Sequence, residues 1–225
     1  MNSREILSHL VTWTPFLLGG FGWNILIAIL AALIGSAVGS MLAFGMLAES
    51  KRTSRVSLSI ASAFYRVPTL ALMFYIAVLL PNEIQFPGSG TAYPFPNWIK
   101  AALALSAAQV GFTAHNLVYS IEHWRKGEHG AALLFIPGWA SNWLITIIAS
   151  SSASLVGVSE LVSRCNKVIN ATDNLDLMIP VYMYACLLFL GFCYPLTLAM
   201  KKLKYAMTIR YSKPALSVEA HVSVD

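Results

Sequence analysis

The chain has 225 residues, of which 57% are hydrophobic and 11% charged, with a net charge of +5 and a mean hydropathy of +0.65. Soluble domains carry about 25% charged residues, so an ordinary soluble fold is excluded. Several apolar runs near or beyond about 18 residues identify an integral membrane protein instead.

The first stretch, MNSREILSHL, holds Glu5 and His9 and no small-residue cleavage site, so it reads as a polar lead-in rather than a cleavable leader. We assign residues 1–15 to this segment, with Trp13-Thr14-Pro15 marking an interface. The first span is predicted over Phe16 to Ala48. Gly35 and Gly39 form a small-xxx-small face there that lets another helix approach closely, within this subunit or between subunits.

A basic turn with Lys51, Arg52 and Arg55 leads to a second span over Val56 to Leu80, containing Tyr65-Arg66-Val67-Pro68. Pro81 to Asn97, with Ser89 near its middle, is a Pro-, Gly- and aromatic-rich loop without Lys or Arg. The third span is Trp98 to Ile121, carrying Gln109, His115 and Asn116. A charged, irregular interruption follows over residues 122–140, EHWRKGEHGAALLFIPGWA. The fourth span is Ser141 to Val162, with the run Ser150-Ser151-Ser152-Ala153-Ser154, and the fifth is Leu177 to Met200. A basic tail begins at Lys201, with 206–225 as a terminal segment after a membrane domain over 16–205.

Orientation follows from Lys and Arg beside the spans. Lys51, Arg52, Arg55, Arg125, Lys126, Lys201, Lys202, Lys204, Arg210 and Lys213 gather on one side; Arg4, Lys100, Arg164 and Lys167 fall on the other. The prediction is an all-α polytopic protein of about five spans, with the N-terminus outside and the C-terminus in the cytoplasm of a bacterial inner membrane. The 122–140 loop and the tail then share the cytoplasmic side.

Arg66 is the one basic residue expected deep in a span, where a guanidinium is costly unless it meets water or polar groups. Two readings stay open: a residue of a translocation path, or a structural ion pair or cap for carbonyls freed by Pro68. His115 and Asn116 are expected at similar depth. Ser151 either lines an aqueous path or belongs to a close-packed serine stretch. Glu160 is either part of an outer gate or an interfacial carboxylate reaching water. Three cysteines without CxxC spacing support neither a disulfide framework nor a metal site. No nucleotide loop, zinc motif or nucleophile with its base is present, so no catalytic residue is assigned.

Gly111-Phe112 through Ala132, ending Lys126-Gly127-Glu128-His129-Gly130-Ala131-Ala132, then Val158-Ser159-Glu160-Leu161, carry a resemblance. So do the Gly-rich first span with Asn24 and the Tyr65-Arg66-Val67-Pro68 element. Across roughly residues 19 to 205 the chain resembles permease subunits of ABC importers, in the polar amino-acid branch (histidine, glutamate, glutamine, arginine, opine). The resemblance implies a type I importer fold and a cytoplasmic helix around Gly127 to Phe135 that docks on an ATPase. It implies docking residues Lys126, Gly127, Glu128, Gly130, Ala131, Ala132, Leu133 and Phe135; the residues themselves offer Arg66, His115, Asn116 and Ser151 for the path and Glu160 for an outer gate.

Its implied partners are a cytoplasmic ATPase dimer holding ATP and Mg, a second permease (a heterodimer, or a homodimer), an external solute-binding protein and membrane lipid. Nucleic acid is not among them, and this chain holds no cofactor or metal of its own. The sequence departs from the family where Gly130 replaces the docking glutamate and Ile136 a glycine. A stretch the family carries between this loop and Ser150, with its Leu-Pro and Lys-Asp-Thr-Ser elements, is absent. These departures leave an alternative: a degenerate permease-like subunit that assists or regulates a complete one. An autonomous secondary transporter is a further rival, but it lacks the internal repeat and midplane carboxylate such folds often show.

Overall fold

The computed structural model describes residues 3–85, 92–172 and 174–222. Ser89, expected on the outer loop, lies outside the described residues. The fold is built on one long helix, α1 (Ser3–Met46), about 66 Å at 1.5 Å per residue. Pro15 falls inside it without ending it, so the 1–15 lead-in and the first span share one continuous helix. Every core cluster uses α1. Its N-terminal half packs Leu17 and Phe21 against Leu161, Cys165, Val168, Leu177 and Val181. Its middle packs Ile27 and Ala31 against Met73, Ala101, Leu105 and Val156, and Ala28 against Leu144, Ile147 and Cys193.

The second predicted span is two helices, α2 (Lys51–Arg66) and α3 (Thr69–Leu79), bent by 96°. Proline disfavours the helical region for the residue before it. Val67 accordingly sits at φ −73°, ψ 127°, and α2 stops at Arg66. Two short strands, β1 (Glu83–Gln85) and β2 (Ala92–Pro94), pair antiparallel with Ile84 opposite Tyr93.

α4 (Asn97–Arg125) covers the stretch expected as the third span and is the most enclosed element, with Lys100, Gln109 and Thr113 all buried; by length and composition it is not among the helices apolar enough to cross a membrane. Its close approach to α1 rests on two glycines. A Cβ at Gly35 would lie 2.5 Å from the Gln109 Cβ, and one at Gly39 would lie 2.7 Å from the Val110 carbonyl oxygen. The small-residue face is thus a contact within the subunit.

The fourth span begins earlier than expected. α5 (His129–Leu133) is followed directly by α6 (Phe135–Ala149), and the apolar helical stretch runs His129–Val156. Pro137 does not break it, because it falls in the first turn of α6, where the missing N–H costs no intrahelical bond. At the other end the serine run does local work. Ser150, Ser151, Ser152 and Ser154 donate to carbonyls three residues back, at 2.5–3.0 Å, as α6 tightens into a 3₁₀ segment over Ser150–Val156. Gly157, at φ 85°, reverses the chain into α7 (Leu161–Thr172).

α8 (Met178–Val222) is a single helix, so the predicted tail beyond Lys201 continues the last span as helix. Among the described residues, the stretches Arg4–Met46, His129–Val156 and Met178–Ile209 are long and apolar enough to cross a membrane, and the bent α2–α3 pair meets the same test jointly. Their outer faces carry large apolar residues, including Leu33, Phe44, Ile145, Met183, Leu187 and Leu190. The architecture is an all-α polytopic bundle with α1 and α4 at its centre.

Candidate functional site

Three places concentrate polar groups, and they differ in how completely the fold satisfies them. The first is a recess between α2 and α4. Ser62, Tyr65 and Arg66 share one face of α2 at i, i+3 and i+4. His115 and Asn116 come from α4, and together the five line a space of about 500 Å³. Gly111 permits the approach, since a Cβ there would lie 2.7 Å from the Tyr65 backbone. The Tyr65 ring then meets His115 edge-on at 5.8 Å. Asn116 donates to the carbonyl of Phe112 one turn back, at 2.9 Å. Arg66, the last residue of α2, makes no hydrogen bond or ion pair among the described residues, and its side chain is exposed. Neither structural role considered for it, ion pairing or capping freed carbonyls, is what the geometry shows.

Ser151 is not brought to this recess. It lies in an apolar groove with Ile148, Tyr182 and Cys186, its hydroxyl spent on the Ile148 carbonyl.

The second place is the junction of α1, the 3₁₀ segment and α7. Asn24, Ser150 and Glu160 are each 0% exposed. Asn24 Nδ2 donates to Ser150 Oγ at 3.0 Å and to Glu160 Oε2 at 2.9 Å, while its Oδ1 accepts from the Leu161 N–H at 3.1 Å. Glu160 also caps α7, accepting from the N–H groups of Val162 and Ser163 at 3.0 and 2.9 Å. An acidic cap at a helix N-terminus is favoured by the dipole as well as by the hydrogen bonds. The reading of Glu160 as a carboxylate reaching water is overturned: it is sealed beneath α1. Burial pushes its carboxyl above the usual range, against hydrogen bonds from Asn24, Ser163 and Val162 that favour the charged form. Nearby Cys165 is pushed up to about 12, chiefly by burial, so it is an inert thiol.

Lys100 makes a similar enclosure that sequence reasoning missed, having placed it with the outer flanking charges. It is 0% exposed. Its Nζ donates to the Leu80 carbonyl at 2.8 Å, Asn82 Oδ1 at 2.9 Å and the Ala77 carbonyl at 3.5 Å. The ammonium thereby satisfies the C-terminal carbonyls of α3.

The third place is the predicted docking loop, most of which is helical. α4 ends in a Schellman motif. Gly127, at φ 82°, donates to the Trp124 carbonyl at 3.1 Å, and Glu128 donates to that of His123 at 2.9 Å. Gly127 is therefore required by the backbone. His123 Nε2 lies 3.5 Å from Glu128 Oε2, and Trp124 packs on His129 at 4.4 Å. Lys126, Gly127 and Glu128 are exposed; Gly130, Ala131, Leu133 and Phe135 are half-buried. Ala132, expected to face a partner, is buried at 2% exposure, and its carbonyl accepts from Ser120 Oγ of α4 at 2.8 Å. Its small size lets α5 lie on α4. The exposed apolar side chains here are Trp124 and Ile136.

No protein-family model matches the chain, and no curated protein matches it significantly. A solved structure does. It is described as the crystal structure of an amino acid ABC transporter with histidines, with a TM-score of 0.69 and 18% identity, covering 91% of this chain and 98% of that one. This chain shares the fold of that transporter chain. At this identity the likeness carries the fold, and what the permease-like chain does is argued from its sites.

Proposed function

We propose that this chain is one half of the membrane channel of an ATP-driven importer for a polar amino acid or a similar small solute. A second permease completes the path, in a heterodimer. A cytoplasmic ATPase dimer, holding the ATP and Mg, drives it, and an external solute-binding protein delivers the solute. The bacterial inner membrane is the setting, with the N-terminus outside. The chain itself carries out no chemistry.

The observation that carries the reading is the short distance between the docking element and the recess along α4. Ser120 holds α5 through the Ala132 carbonyl, and Asn116, four residues earlier, lines the recess. Four residues of helix are about 6 Å. A push on α5 therefore reaches the recess through one rigid helical turn, with no hinge between them. Arg125 and Lys126 flank the loop as exposed cations. Exposed ion pairs are worth about 0–1 kcal/mol, so apolar contacts through Trp124 and Ile136 carry most of the grip.

Gly130 in place of the family glutamate favours a second reading, an assembly or regulatory subunit beside a complete permease. Ala131→Trp separates the two. In the complex purified through this chain, it is expected to release the ATPase or abolish coupled ATP turnover while the membrane part stays folded. An ATPase that remains bound and coupled places docking on the partner permease.

A further inference from the structure

Among the described residues, the recess between α2 and α4 presents one cation without a hydrogen-bond or ion-pair partner, and the chemistry around that cation selects a ligand. We propose that it is a binding site for the carboxylate of a small anionic solute, one without a cationic side chain. The proposal rests on the permease reading for its biological context, and names the substrate class that reading left open.

Of the five lining residues, Ser62, Tyr65, Arg66, His115 and Asn116, Arg66 alone carries a permanent charge, and no Asp or Glu is among them. The contrast with the two enclosed charges, Lys100 and Glu160, is direct. Lys100 spends its ammonium on two carbonyls and an amide oxygen, and Glu160 spends both oxygens on three N–H donors. Arg66 has no partner among the described residues. A guanidinium within a membrane domain is costly without water or a counter-charge. Its planar fork matches a carboxylate through two parallel hydrogen bonds, which a lysine cannot reproduce.

The helix ends do not reverse the sign. Arg66 closes α2, whose C-terminus is the negative end of its dipole; α3 opens three residues later with its positive end. Across the Val67-Pro68 bend the two partial charges oppose one another, so the full charge on Arg66 sets the potential. The hydroxyls of Ser62 and Tyr65 supply donors beside it. The His115 ring, fixed edge-on to Tyr65, and the Asn116 side chain close the α4 wall. About 500 Å³ lies within the range of small-molecule sites. A solute bearing a cationic side chain would meet Arg66 with no carboxylate in the recess to compensate it.

The test uses the full-length chain with its co-purified partners in lipid nanodiscs, without ATP, titrated with L-glutamate, L-glutamine and L-lysine by calorimetry. L-Glutamate is expected to bind most tightly and L-lysine at least tenfold more weakly. Arg66→Gln is expected to weaken L-glutamate binding about tenfold or more, the scale of losing a hydrogen bond to a charged group, with Arg66→Lys falling between. Retention of the partner subunits is followed in the same samples. Equal or tighter L-lysine binding, or L-glutamate binding indifferent to Arg66→Gln, overturns the proposal. So does a variant that only loses its partner subunit, which would make Arg66 an intersubunit ion-pair residue. Because binding is read without ATP, Arg66-dependent glutamate binding in a complex that never transports would sink the importer reading and leave the anion site standing. ATP-driven lysine uptake would do the reverse.

Discussion

The Asn24–Glu160 junction and the Arg66 recess treat charge in opposite ways. At the junction a fully buried carboxylate is met by an amide and two helix N–H groups, and the result ties α1 to α7. In the recess a guanidinium is left open beside hydroxyls and an imidazole, with no hydrogen-bond or ion-pair partner among the described residues. A charge the fold needs is enclosed and fully hydrogen-bonded; a charge left unpaired is available to something outside the chain. The two should therefore respond oppositely to mutation, one in stability and the other in ligand handling.

The hardest challenge to the packed side of the comparison is Gly35→Leu. Even a Cβ there lies 2.5 Å from Gln109, so α1 and α4 must separate, at about 3 kcal/mol or more. Folded, monodisperse protein in detergent should fall severalfold by size-exclusion chromatography; an unchanged yield would mean the two helices do not meet there.

Next in size is Glu160→Ala, which leaves one Asn24 Nδ2 hydrogen and two backbone donors without an acceptor, while the other Nδ2 hydrogen stays on Ser150 Oγ. A loss of about 3 kcal/mol is expected, read as a lowered melting temperature with solute binding intact. The raised carboxyl sharpens this through pH. A Glu whose folded pKa lies above its unfolded value stabilises most below that unfolded value and loses the contribution as pH rises through the folded one. The stability gap between wild type and Glu160→Gln should accordingly narrow from pH 4.5 upward. A gap that widens with pH would show the hydrogen bonds outweighing burial.

Lys100→Met is smaller. It removes the donor to the end of α3, at about 1–3 kcal/mol, and hydrogen exchange should speed at the α3 C-terminus without change in α7. The smallest stability effect belongs to Arg66→Gln, within about 0.5 kcal/mol, because the exposed side chain gives up no hydrogen bond or ion pair among the described residues. A large destabilisation there would dissolve the comparison.

Much of this layout is legible in the residues. Apolar runs locate the helices, Gly35 and Gly39 mark the close helix pair, and depth along opposed spans brings Arg66 to His115 and Asn116. What escapes has local causes. The 96° bend hides inside an apolar run, where hydropathy outweighs the Val67-Pro68 signal. Pro137-Gly138 resembles a loop although a first-turn proline is compatible with helix. Lys100 counts as a flanking charge until the carbonyls it caps are located. Asn24 and Glu160 lie 136 residues apart, beyond the reach of any spacing rule. Gly127 is visible as part of a docking motif, but its backbone duty as a helix terminator emerges only from its positive φ.

The central claim is that this chain forms half of a driven path, and uptake tests it most directly. The complex purified through the full-length chain is reconstituted in proteoliposomes with its solute-binding protein, and accumulation of radiolabelled amino acids is measured with and without ATP on the ATPase side. The account predicts ATP-dependent accumulation that Ala131→Trp abolishes. A complex that hydrolyses ATP yet accumulates none of the amino acids, or accumulates them equally with Ala131→Trp, would contradict it.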